Sequence, residues 1–146
     1  MRRILVTAAA VIALLLMTPL VPAGATAPAD VEIVVPDFEG PFVATGAAVD
    51  DGVICGAGEV FTTFVKASGF QSNQHLILKV GKVFICGDGS GTFDAKLEVR
   101  IDFDTGVSFQ WVVVGGTGDY ERLRGSGSGF VLQPDTDVYS GGLHIN

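Results

Sequence analysis

The chain has 146 residues, 16 of them acidic against nine basic, with a formal charge of −7 and two cysteines. Every acid follows residue 29 while two of the basic residues precede it, so the chain beyond residue 29 carries about −9. That balance repels nucleic acid and anionic lipid surfaces, no aromatic residues are interleaved with Lys or Arg, and the length suits one domain.

Residues 1–29 read as a secretory leader. Arg2 and Arg3 form a short basic start, Ile4 to Met17 is apolar apart from Thr7, and Pro19 stops the helix. The apolar stretch is shorter than the roughly 20 residues a spanning helix needs. Small residues then offer cleavage after Ala25 or Ala29; cutting after Ala27 would place Pro28 just past the bond. No cysteine lies there to take a lipid. The expected product, residues 30–146, is an exported protein with no membrane segment, acting outside the cell.

Strand patterns follow in chain order. Val31–Val35 is stopped by Pro36, and Phe42–Val49 is a second strand with Gly46 as its weak point. Glu59–Ala67 is rich in Phe, Thr and Val; His75–Val80 and Lys82–Cys86 flank Gly81. The strongest pattern lies between Thr92 and Phe103, where odd positions are apolar and even ones polar. Asp104-Thr105-Gly106 supplies a turn, and alternation resumes at Val107, Phe109, Trp111 and Val113. Val112-Val113-Val114 is apolar on both faces, which predicts cover on both sides. Gly129–Gln133 and Val138–Ile145 close the chain. Seven or eight short strands with glycine at most junctions predict an all-β fold: a small antiparallel, eight-stranded closed barrel, with a β-sandwich as the alternative. Closure removes the sheet edges that such long hairpins would otherwise expose.

Cys55 and Cys86 are the sole cysteines and, in an exported chain, pair most simply as a disulfide. Closing a loop of about 30 residues stabilises by roughly 3–4 kcal/mol in the chain-entropy model. His75 and His144 stand at no metal-ligand spacing from them. Asp88, Ser90, Thr92 and Asp94 alternate as in a calcium loop, but Phe93 and Val99 occupy the places where an EF-hand needs Gly and an acid, which leaves a tight turn. The sequence predicts no metal and no cofactor.

Residues 115–129 are the most distinctive: Gly-Gly-Thr-Gly-Asp-Tyr-Glu-Arg-Leu-Arg-Gly-Ser-Gly-Ser-Gly. Glu121 replaces the third glycine of a dinucleotide loop, and a strand rather than a helix follows. The segment therefore reads as a strand-to-turn corner burying Tyr120 and Leu123, then a glycine-loosened strand that bends with the barrel. Across Thr92 to Gly142 this arrangement resembles the allene oxide cyclase-like and dirigent-like barrels. The resemblance implies an eight-stranded, calycin-like barrel, often with an apolar cavity. Its members include cyclases of oxygenated fatty acids, guides of phenolic radical coupling, and exported bacterial proteins without assigned activity. The polar catalytic residues of the characterised members find no counterparts here, so no activity carries over.

Phe103, Phe109 and Trp111 on the hairpin, with Tyr120 at the corner, are the candidate ligand-lining residues. They either line a cavity for a small flat apolar molecule or fill a solid core. Asp119, Arg122 and Arg124 beside Tyr120 read as solvated charges. No nucleophile elbow or other catalytic pattern stands out. The expected roles are thus a small apolar ligand held in the barrel, a cyclase or dirigent-type enzyme, or a non-enzymatic extracellular interaction module; oligomeric state is open.

Overall fold

A computed structural model describes residues 27–72 and 75–146, with the side chains of 70–72 left undescribed. Most of the expected leader, residues 1–26, lies outside them. Eight antiparallel strands run in sequence order around a closed barrel: β1 Ala29–Val35, β2 Gly40–Thr45, β3 Ala57–Ser72, β4 His75–Cys86, β5 Gly91–Asp102, β6 Gly106–Gly118, β7 Leu123–Leu132 and β8 Thr136–Ile145. β1 completes the circle by pairing with β8 over seven residues, from Ala29 opposite Leu143 to Val35 opposite Asp137. The expected barrel is therefore the fold found, and the sandwich is set aside.

The second strand is shorter than its composition predicts. It ends at Thr45 because Gly46 adopts φ +105°, where a Cβ would stand 2.7 Å from the Asp30 carbonyl oxygen. The chain leaves the sheet there and forms one helical turn, α1 (Ala47–Asp50), which buries Ala48. Conversely, the two segments predicted around Gly81 form one strand: Gly81 stays in both ladders, opposite Phe64 and Lys96, and the Phe64 ring takes the space a side chain there would need. Val112 and Val114 are 45% and 46% exposed, so the expected cover on both faces is absent there; only Val113 points inward. Pleating turns Val112 outward opposite Lys96, and Val114 is the extra residue where pairing steps from Asp94–Gly115 to Ala95–Val113; both lie on the uncovered outer wall.

The two ends of the barrel differ. One carries α1, the Asp119–Arg122 turn and the disulfide between Cys55 and Cys86, which ties the β2–β3 connection to the end of β4. Aromatic rings fill this half. Phe84 stacks on Phe93 at 4.7 Å and meets Phe42 and Tyr139 edge-on, while Phe93 meets Tyr120. The other end carries the turns at 36–39, 103–105 and 133–135 and the tips of β3 and β4. Its inward residues are mostly aliphatic, and there the barrel is hollow.

Candidate functional site

A cavity of about 300 Å³ occupies the hollow half, at the lower end of the range for small-molecule sites. Leu78 and Val80 of β4, Leu97, Val99 and Ile101 of β5, and Val107 and Phe109 of β6 supply most of the wall. Each sits at an inward phase of its strand, two residues from the next, as pleating requires. The base is set by aromatic packing: Phe109 lies 4.8 Å from Tyr139, and Trp111 lies 6.3 Å from the same ring. Both rings reach over the middle of β7, whose inward positions 125, 127 and 129 are glycines; a Cβ on Gly129 would overlap the Phe109 ring.

Two charged side chains interrupt this apolar wall. Lys82 on β4 and Asp137 on β8 are each 5% exposed, and Nζ of one lies 3.9 Å from Oδ2 of the other. That separation is an ion-pair distance and too long for a hydrogen bond. Lys82 Nζ instead donates to the Phe38 carbonyl oxygen at 2.6 Å, and Tyr139 Oη donates to Asp137 Oδ2 at 3.3 Å. Burial pulls the Lys82 ammonium below its usual range, against the opposing pull of Asp137 and Glu39. Burial likewise pushes the Asp137 carboxyl up to about 6, although Lys82 and the Tyr139 hydroxyl lower it. The Tyr139 phenol is raised too, first by burial and then by the neighbouring carboxylate. All three shifts favour the uncharged forms, as expected where desolvation outweighs pairing.

Phe38 covers part of the mouth. It belongs to the Pro36–Phe38 turn, in which Asp37 and Phe38 both take left-handed φ values of 57° and 63°. A phenylalanine there is unusual. Two bonds hold it: its N–H donates to the Asp135 carbonyl at 3.1 Å and its own carbonyl accepts from Lys82.

The four residues singled out from sequence do not converge. Phe109 lines the cavity. Trp111 packs beneath it, its Nε1 donating to the Ser128 carbonyl at 3.1 Å. Phe103 sits on the β5–β6 turn with 61% exposure, because the strand ends at Asp102 and alternation no longer aims it inward. Tyr120 is buried at the opposite, disulfide-bearing end, with its hydroxyl 2.6 Å from Ser90 Oγ and 3.4 Å from Cys86 Sγ. Lys82, Asp137 and Phe38 were not singled out. The first left a trace in the sequence: Leu76, Leu78, Val80, Phe84 and Cys86 share one phase, and Lys82 interrupts it.

Elsewhere, His75 Nε2 lies 2.8 Å from Asp102 Oδ2 across β4 and β5, and Asp88 Oδ1 accepts from the Ser90 N–H and hydroxyl in the turn beside the disulfide. Among the described residues no group of three or more His, Cys, Asp or Glu is placed to hold a metal ion. No family model, curated protein or solved structure matches the chain.

Proposed function

We propose that this is an exported binding protein that holds a small, largely apolar molecule inside the hollow half of its barrel. The observation that carries the reading is the cavity itself: about 300 Å³, walled by aliphatic side chains, with a single pair of convergent charged groups. Many apolar surfaces facing one small polar locus is the general character of ligand pockets. A barrel built for packing alone would fill that space, since a void forfeits the dispersion contacts of its lining. The leader-like segment and the disulfide support action outside the cell, and the resemblance to allene oxide cyclase-like and dirigent-like barrels supports a cavity. A second reading, an enzyme of cyclase or dirigent type that shapes a reactive intermediate, draws support from the buried Lys82–Asp137 pair.

Native mass spectrometry of the protein taken from its own host's medium tests the binding reading. The expected result is a co-purifying molecule of small mass that is lost when Val80 and Leu97 are both enlarged to Phe. A ligand-free spectrum, together with no thermal shift across a panel of lipids and phenolics, would overturn it.

A further inference from the structure

Lys82 helps to hold the Phe38 turn through its one bond, but that bond does not call for a carboxyl group buried beside it. Replacing a buried ion pair by apolar residues of similar volume is often neutral or stabilising, and valine or leucine at residue 82 would continue the apolar phase of β4. Yet Lys82 brings an amine to the wall of an otherwise apolar cavity, held by one bond to the Phe38 carbonyl and 3.9 Å from a carboxyl group. The other three lysines, Lys66, Lys79 and Lys96, are exposed.

Resting on the cavity reading, we propose that Lys82 captures an apolar aldehyde as a reversible imine within the barrel, with Asp137 as the acid that completes the condensation. The ingredients are an amine shielded from water, an acid within reach of it, and apolar walls for the rest of the molecule. An amine must be unprotonated to attack a carbonyl, and desolvation acts in that direction. In the reacting tautomer, with the pair's proton on Asp137, the Lys82 lone pair attacks the carbonyl carbon while the carboxyl protonates the oxygen, and the added nitrogen returns a proton to the carboxylate. Asp137 then protonates the carbinolamine hydroxyl, which leaves as water. The product is a protonated imine paired with the Asp137 carboxylate. The C=O double bond is replaced by a C=N double bond, the carbonyl oxygen leaves as one water, and nothing is oxidised or reduced. Tyr139, donating to the same carboxylate, is a positioning residue.

The test incubates the full-length exported protein with octanal and cyanoborohydride at neutral pH and maps the reduced adducts by peptide mass spectrometry; 1-octanol binding is followed in parallel by thermal shift. The expected result is labelling of Lys82 at least tenfold faster than of Lys66, Lys79 or Lys96. K82M abolishes that fast component, D137N slows it at least tenfold in protein shown by its melt to be folded, and K79R leaves it unchanged. Labelling that follows exposure and spares Lys82, while 1-octanol still binds, would overturn imine capture and leave the cavity reading standing. If Lys82 is spared and 1-octanol does not bind either, imine capture fails, and the cavity reading fails with it once the native spectrum and the lipid and phenolic panel are also blank. The wild-type map decides the matter even if a variant does not fold.

Discussion

Asp137 shows how one side chain can be both paired and ill at ease. Its carboxyl has been brought into an apolar wall, where the charged form loses more solvation than Lys82 at 3.9 Å returns. The folded-state value of about 6 lies above the ordinary 3.8, so the folded chain holds this proton more tightly than the unfolded chain does. The group's contribution to stability is therefore full below about 3.8 and is lost as pH rises through about 6. Urea midpoints should fall for the wild type relative to D137N between pH 4 and 7; a constant difference would contradict the assignment. K82M removes the opposing charge, so the Asp137 titration followed by carboxyl NMR should move above 6. Asp102 behaves oppositely. The N–H groups of Asp104 and Thr105 cap it and hold it near 2, so what it contributes is present above 3.8 and lost as pH falls toward 2.

At the scale of the element, β7 is the strand whose composition makes sense only beside its neighbours. A run such as Gly125-Ser-Gly127-Ser-Gly129 is poor strand material, since glycine adds backbone entropy and packs nothing. Its bare inward face is what admits Phe109 and Trp111 from β6: a Cβ on Gly129 would overlap the Phe109 ring and stand 2.5 Å from the Val138 carbonyl, and one on Gly141 of β8 would stand 2.6 Å from Trp111 Cζ2. The glycines thus set where the aromatic floor lies, and with it the depth of the cavity. G129A should cost about 1–3 kcal/mol, the usual range for overpacking, measured by chemical denaturation. F109L in the same chain should recover part of the loss. Equal losses with and without F109L would place the strain on the backbone alone.

For the whole molecule, the disulfide and the closed sheet act at different places. Cys55–Cys86 spans 31 residues of sequence and fastens the α1 connection over the filled end, far from the cavity. Removing it as C55A/C86A should lower stability by roughly 3–4 kcal/mol, mostly by freeing the unfolded chain, and should leave the affinity for 1-octanol within about twofold. A large affinity loss in protein that still melts cooperatively would show that the filled end communicates with the hollow one.

What the sequence determined by itself is local or combinatorial. Period-2 alternation marks which face of each strand is buried, so the all-β class and the hairpin of β5 and β6 were legible; two cysteines allow one pairing; and the corner that buries Tyr120 and Leu123 was readable from its glycines and turn residues. Closure into a barrel followed from the need to cover edges. Alternation does not report the level at which a side chain lies along the barrel axis, nor which strand faces it across the interior. Phe103 shared the phase of its strand yet fell beyond its end, and Trp111 lay below the cavity that Phe109 lines. Lys82 and Asp137 are 55 residues apart on strands four places apart around the barrel, so only closure brings them together. Tertiary structure alone decided that the interior is filled at one end and hollow at the other, because a cavity is the space that rings from several strands fail to occupy.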